Sequence, residues 1–358
     1  MGRAARATID LSAIRQNFNF ATNLASSSKA IAVVKADAYG HGAVRVARAL
    51  ETDAAAFGVA CIEEALELRA AGIKKPILLL EGFFTADEIS VIAEQNFWTA
   101  VHRVEQIEMI ESAGLSRSID VWLKMDSGMH RLGVDASQYR SAYQRLKDCA
   151  AVNQVVLMSH LACADELNCS HTQNQVALFD RVVEGIDAQQ SIANSPATLG
   201  WPQLHRDWIR PGLMLYGASP FDGSHEQADQ LISAMTLSSE IIAVHDVDAG
   251  EAVGYGASFV CDKPTRVGTV AIGYGDGYSR HAPSGTPVIV NGQRTRIIGR
   301  VSMDMCTVDL TDLVDVGVGS PVELWGNQLN INEVAQCCGT IPYTLLTGVT
   351  KRVPRIYL

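Results

Sequence analysis

The stretch Ile31-Ala32-Val33-Val34-Lys35, continued by Ala36-Asp37-Ala38-Tyr39-Gly40-His41-Gly42, decides the fold. Its first half is short, apolar, rich in β-branched residues and closed by glycines. Such a run reads as a buried strand over residues 31–35. A lysine at the end of a buried strand is unusual, because an unpaired buried ammonium is costly. Burial lowers a lysine pKa, and the neutral amine is a nucleophile able to form a Schiff base. Taken alone, the strand fits better with a lysine that snorkels to the surface. The rest of the chain turns the balance toward chemistry.

Similar runs recur at residues 55–60, 76–81, 98–102, 120–126, 155–160, 191–195 and 208–217. Helical patterns lie between them. Ile62, Leu66 and Ala70 fall at i, i+4 spacing with Gly72 as a stop. Thr85 followed by Glu88 has the form of a capping box, and residues 173–185 form another helical segment. Eight strands, seven intervening helical segments and an amphipathic opening segment predict an α/β fold, an N-terminal (α/β)8 TIM-type barrel. A doubly wound sheet is the alternative, but it would not require eight units and no GxGxxG follows the first strand. Near residue 235 the pattern changes to short runs punctuated by glycine, proline and aspartate, which reads as a C-terminal mostly-β domain. The expected domains are a barrel over 1–230 and a β domain over 231–358, with the boundary inside 222–238.

The bulk numbers narrow the function classes. The chain has 358 residues, 47% hydrophobic and 19% charged, as in an ordinary soluble globular protein. A formal net charge of −10 and the lack of a long Lys/Arg block argue against nucleic acid or an anionic membrane as partner. No signal peptide and no bilayer-spanning stretch is expected, so the reading is cytoplasmic. The eight cysteines show no CxxC spacing and read as reduced thiols. His160, Cys163, Cys169 and His171 fit no common zinc spacing, and no metal is expected.

The unusual polar residues fall at strand ends. Lys35 ends the first barrel strand and Arg131 follows the fifth. His160 ends the sixth, Asn194 and Ser195 end the seventh, and Arg210-Pro211-Gly212 lies within the eighth. Barrel active sites sit at the C-terminal strand ends, so these residues should converge on one mouth. Phosphate is often held after strands seven and eight, where Ser195 offers a hydroxyl and Gly212 lets backbone N–H groups approach. A Schiff-base lysine facing a phosphate cradle is the combination that pyridoxal 5′-phosphate needs.

With these residues in place, the segment AVVKADAYGHG (32–42) resembles the cofactor-attachment motif of alanine racemases. WLKMDSGMHRLG, SHLACADE, ANSPATLGWP, WIRPGLMLYG, VGYGASF, AIGYGDGYSR, GRVSMDMCTVDL, IPYTLL and RVPR follow in the order of that family, over nearly the whole chain. The resemblance implies a barrel plus a C-terminal β domain. It also implies a homodimer whose active sites are each completed by the partner's β domain. The implied activity is the interconversion of L- and D-alanine, to supply D-alanine for peptidoglycan or to degrade it.

Site roles also come from the resemblance. Lys35 would hold the cofactor and act as base on one face of the substrate, with Tyr255 of the partner subunit as acid/base on the other. Arg210 would donate to the pyridine nitrogen, with His160 beside the ring. Arg131 would bond the phenolic oxygen and help place the substrate. Tyr39, Ser195, Gly212, Leu213 and Tyr343 would surround the phosphate, with Asn194 beside them. Tyr274 would line the entrance, and Met303 and Asp304 of the partner subunit the substrate pocket. Lys124 matches a lysine that some members carbamylate, which would orient Arg131; a lysine paired to Asp126 is the alternative. Gly275 stands where alanine is common and Thr347 where a cysteine is common, and neither is expected to touch the chemistry.

Elementary chemistry supports the scheme. A single base does not easily reach both faces of an α-carbon, so two groups on opposite sides are the economical solution. Their ordinary pKa values, about 10.4 for lysine and 10 for tyrosine, must be tuned toward neutrality. A guanidinium has donors only, so a pyridine nitrogen facing Arg210 must be unprotonated, which weakens the ring as an electron sink. Two other readings stay open: a fold-related decarboxylase, which would need a glycine-rich phosphate loop where this chain has NSPA, and a barrel that only binds the cofactor.

Overall fold

The computed structural model describes residues 3–358; Met1 and Gly2, part of the expected first domain, lie outside the described residues. In chain order the first ten strands are β1 (Arg6–Ile9), β2 (Lys29–Val33), β3 (Ala56–Val59), β4 (Ile77–Leu79), β5 (Phe97–Val101), β6 (Ile119–Asp126), β7 (Val134–Asp135), β8 (Val152–Met158), β9 (Gln190–Ser191) and β10 (Trp208–Ile209). Eight of them, β2 to β6 and β8 to β10, run parallel in the order β10-β2-β3-β4-β5-β6-β8-β9. Helices return the chain between most of them, including Ile62–Ala70, Glu88–Gln95, Val104–Ser112, Ala136–Asp148 and Ser170–Val183. Strands covered on one side by helices and on the other by the barrel interior must be apolar throughout. Accordingly every residue of β3 and β4 is buried.

The seam between β9 and β10 carries no ladder, and two bonds close it. Arg210 N–H donates to the Ala193 carbonyl at 2.9 Å, and the Ser191 hydroxyl donates to the Trp208 carbonyl at 2.9 Å. The N-terminal end of the barrel is plugged by Trp98, Trp122 and Trp208, with ring centroids 5.5 to 5.7 Å apart. The polar candidates lie at the opposite end.

The remaining strands are β11 (Met235–Val247), β12 (Ala252–Val253), β13 (Phe259–Val260), β14 (Thr265–Val270), β15 (Pro287–Val290), β16 (Gln293–Arg296), β17 (Cys306–Asp309), β18 (Pro321–Trp325) and β19 (Arg355–Tyr357). They form a separate, mostly β unit in which β11 is the hub, pairing with β1, β14 and β18. The opening strand β1 belongs to this sheet: it runs antiparallel to β11 and parallel to β19. The N-terminal residues therefore tie the end of the chain to the β unit before the barrel begins. Among the described residues no helix is long and apolar enough to cross a membrane.

Three local readings need correction. The first barrel strand stops at Val33, not at Lys35. The run at 191–195 is strand only at Gln190–Ser191; Asn194 then caps the helix Ser195–Gly200, its side chain accepting from Ala197 N–H at 3.2 Å. The run at 208–217 leaves the sheet after Ile209, so Arg210 lies past the strand, and Leu213–Tyr216 winds into a 3-10 turn. Asn and Ser favour caps through their side-chain acceptors, and Pro196 at the first turn cannot donate to a ladder. Those local forces outweigh apolar content at both sites.

Candidate active site

Lys35 opens a left-handed turn. Ala36, Asp37, Ala38 and Tyr39 have φ of 52°, 54°, 52° and 53°, and Gly40 follows at 80°. Each such residue costs roughly 1–2 kcal/mol, so the turn persists only because its surroundings over-determine it. Ala38 N–H donates to Val34 O at 2.8 Å and Gly42 N–H to Asp37 O at 2.9 Å. The Asp37 carboxylate takes Ala43 N–H at 2.8 Å. Glu64 spans the neighbouring loops, its two oxygens accepting from Ala36 N–H and Ala60 N–H, both at 2.8 Å. His41 faces two carbonyl oxygens, Ala38 and Tyr39, at 3.0 Å each, so its Nδ1 must carry the hydrogen. Below the turn Tyr39 stacks on Tyr216 with centroids 4.8 Å apart, and Tyr216 donates to Val33 O at 2.8 Å.

The turn forms one wall of a 440 Å³ cavity at the C-terminal ends of the barrel strands, a size suited to a small molecule. Lys35, Lys124, Arg131, His160 and Arg210 line it, and so do Tyr39, Asn194, Ser195, Gly212, Leu213 and Tyr343. Every barrel residue singled out from the sequence is thus in one place. Four cations face one carboxylate, Glu81. That imbalance favours a ligand bearing more than one negative charge.

Arg210 is almost wholly buried. One of its terminal nitrogens donates to Ser191 Oγ at 2.5 Å, and the other to Ser159 O at 2.8 Å and to His160 Nδ1 at 3.4 Å. Burial lowers its pKa to about 10, still far above neutrality, so it remains a donor. Burial first, and Arg210 second, push the His160 imidazole well below its ordinary value, so it is neutral. Burial and then Arg131 lower Lys35, against the opposing pull of Glu81 and Glu64. Burial, Arg210, Arg131 and Lys35 bring Lys124 down to about 8. Asp126 is not its partner: that carboxylate accepts from Gly128 N–H, His130 N–H and the His130 ring, each at 3.0 Å.

Opposite Lys35, the Ser195 hydroxyl accepts Gly212 N–H at 2.8 Å and Met214 N–H at 3.4 Å. A Cβ at Gly212 would fall 2.6 Å from the Tyr39 hydroxyl oxygen, so glycine keeps the cradle open. Burial pushes the Tyr39 phenol well up and Tyr343 up to about 12, so both hydroxyls keep their protons as donors.

Of the β-unit candidates only Tyr343 lines this cavity, and the other four are elsewhere. Tyr255, Tyr274, Met303 and Asp304 are not on the cavity wall, and Tyr255 is 70% exposed and Met303 53%. Tyr255 sits in a 3-10 turn flanked by Gly254 and Gly256, with φ of 75° and 74°. Thr347, expected to be remote from the chemistry, lines the cavity instead. Sequence reasoning missed Glu64, Glu81, Ser159 and Ser191. Glu81 had a signal: it closes the apolar run 76–81 just as Lys35 closes 31–35.

Comparison with known proteins places this geometry. A family model described as "Alanine racemase, N-terminal domain" matches residues 9–220, and one described as "Alanine racemase, C-terminal domain" matches residues 234–357. The chain is 58% identical over 355 residues, 99% of each chain, to an alanine racemase of Pseudomonas syringae pv. syringae. It is 56% identical over 99% of each chain to a catabolic alanine racemase of Pseudomonas putida. Among solved structures, a biosynthetic alanine racemase from Pseudomonas aeruginosa superposes with a TM-score of 0.97 at 48% identity over all of both chains.

Proposed function

The chain belongs to the alanine racemase family, and we propose that it racemises alanine with two proton carriers on opposite faces of the substrate and pyridoxal 5′-phosphate in the barrel cavity. The observation that carries the reading is the meeting, in one cavity, of a lysine with lowered pKa, a buried donor-only guanidinium and a cradle that a Cβ at Gly212 would fill.

These residues fit the cofactor. Lys35 would attach it, and a lowered pKa raises the share of the nucleophilic neutral amine. Tyr39, Ser195, Gly212, Leu213 and Tyr343 would hold the phosphate through hydroxyls and backbone N–H groups, with Asn194 fixing the Ser195 helix start. Arg210 would donate to the pyridine nitrogen and hold it unprotonated. Neutral His160 would flank the ring without adding charge. Arg131 would bond the phenolic oxygen and the substrate. When bound, the cofactor delocalises the electron pair released at the α-carbon.

Lys35 takes or returns the α-proton at its Nζ on one face. Tyr255 of the partner subunit does so at its hydroxyl on the other. Met303 and Asp304 of the partner subunit would close the substrate pocket, and Tyr274 would narrow the way in. Tyr255, Met303 and Met305 are exposed on the β unit, which leaves them free to meet a partner subunit. Racemisation is reversible, so one site serves both D-alanine supply and D-alanine breakdown.

Subunit mixing tests the shared site. Lys35→Ala lacks the attachment point and one base, and Tyr255→Phe lacks the other; both homodimers should be inactive or nearly so. After subunit exchange, mixed dimers regain one intact site and some turnover. No recovery in verified mixed dimers overturns the shared-site reading.

A further inference from the structure

Gly275 lies directly against the Arg352 guanidinium. It lies in the 3-10 turn Tyr274–Asp276, and its φ is not positive, so the backbone itself admits alanine there. The obstacle is a side chain. A Cβ at Gly275 would fall 2.4 Å from Arg352 Nη1 and 3.0 Å from the Met303 carbonyl oxygen. Arg352 lies across the turn to reach two carboxylates. Its Nη2 donates to Asp304 Oδ1 at 2.6 Å, and its Nε is 3.3 Å from Asp276 Oδ1.

Asp276 is fully buried and anchors the cluster. Its Oδ2 accepts Gly273 N–H at 2.9 Å, and Arg3 Nη1 lies 2.5 Å from its Oδ1. Arg3 also donates to the Asp304 carbonyl oxygen at 2.5 Å. Tyr274 N–H and Gly275 N–H donate to Ser302 O and Met303 O at 3.0 and 2.8 Å. These bonds tie the turn at 274–276 to the segment 302–305. Within that segment the Asp304 side chain has one strong partner, the guanidinium that Gly275 makes room for.

We propose that Gly275 and Arg352 act as a positioning pair that fixes the Asp304 carboxylate, and through it the affinity for the amino-acid substrate. This rests on the reading that Asp304 of the partner subunit lines the substrate pocket. A methyl group at 275 displaces the guanidinium first, because that is the free end of a flexible chain, whereas the Met303 carbonyl is backbone.

The test is a set of variants of the full-length holoenzyme, each characterised by KM and kcat for L-alanine. Gly275→Ala raises KM roughly 2- to 5-fold, what an exposed ion pair carries, with kcat within 2-fold. Arg352→Ala gives the same split and serves as the second route to the same loss. In an Arg352→Ala background, Gly275→Ala adds nothing. A crystal structure of Gly275→Ala shows the Arg352–Asp304 contact opened beyond 4 Å, a readout independent of turnover. An equal further rise in the Arg352→Ala background overturns the proposal, because the effect then runs through Met303. So does an unchanged KM in Gly275→Ala beside a raised KM in Asp304→Asn. An unchanged KM in Asp304→Asn removes Asp304 from the pocket and overturns the premise with it.

Discussion

Gly212 lies so close to Tyr39 that a Cβ on the glycine would fall 2.6 Å from the tyrosine hydroxyl oxygen. Tyr39 has little freedom to withdraw. Its ring stacks on Tyr216 and packs against Tyr343, with centroids 4.8 and 5.9 Å away, and its backbone is held in the left-handed turn. Gly212→Ala should therefore fill the cradle and leave the barrel intact. The expected result is at least a ~10-fold rise in the Kd of the apoenzyme for pyridoxal 5′-phosphate, about 1.4 kcal/mol. Titration of apoenzyme with the cofactor, beside an unchanged circular dichroism spectrum, checks it. An unchanged Kd would place the phosphate away from Gly212.

Glu64 offers a test of the turn that carries Lys35. Its two carboxylate oxygens accept Ala36 N–H and Ala60 N–H at 2.8 Å each. Glutamine has a single acceptor oxygen, so Glu64→Gln leaves one N–H facing an amide NH2. An unsatisfied backbone group of this kind costs about 1–3 kcal/mol. The strain of four left-handed residues makes the turn the first part to yield. Melting temperature and turnover should both fall in Glu64→Gln. A lower melting temperature with unchanged turnover would mean that Asp37 and His41 hold the turn without help.

Much of this was legible in the sequence, and the gaps have physical causes. The (α/β)8 barrel showed because its strands are apolar over most of their length and wholly buried in β3 and β4. Two of the three corrected runs, 191–195 and 208–217, break at Asn194-Ser195-Pro196 and Arg210-Pro211-Gly212, where capping and proline chemistry overrule apolar content. Barrel-mouth residues were found because strand ends are a predictable place. The left-handed turn after Val33 was not, because alanine and tyrosine carry no preference for positive φ; only distant partners such as Glu64 impose it. The place of Thr347 on the cavity wall was not legible, because the return of a C-terminal helix to the cavity is a tertiary fact with no local signature. The contact of Gly275 with Arg352, 77 positions away in the sequence, had no local signature for the same reason.

His41 predicts the behaviour in acid. Burial outweighs its two carbonyl bonds and lowers its pKa from 6.5 to about 4. Between pH 6.5 and 4 the unfolded chain binds a proton that the folded chain refuses, so stability falls as pH falls through that window. Complete passage costs roughly 3 kcal/mol, because each tenfold change in proton affinity is worth about 1.4 kcal/mol. Denaturant unfolding at pH 7, 5.5 and 4.5 should show the loss, and His41→Asn should flatten the slope. An equal slope in His41→Asn would assign the acid sensitivity to the other imidazoles that burial depresses, His160, His102 and His205.

Lys124 sets the last expectation. It is buried on β6, and its pKa of about 8 leaves roughly one amine in ten neutral at pH 7, against about one in three thousand for an ordinary lysine. Carbon dioxide reacts with the neutral amine: the nitrogen lone pair bonds to carbon, a proton leaves, and an ammonium becomes a carbamate anion. Arg131, Arg210 and Lys35, the cations that depress Lys124, would all be attracted to that anion. The environment that penalises the charged lysine thus favours its carbamate. Protein equilibrated with 13C-labelled bicarbonate should give a carbamate carbon resonance that Lys124→Arg lacks, and turnover in that variant should fall through a rise in KM as Arg131 loses its support. A spectrum without the resonance would leave Lys124 an amine, acting on Arg131 by repulsion alone.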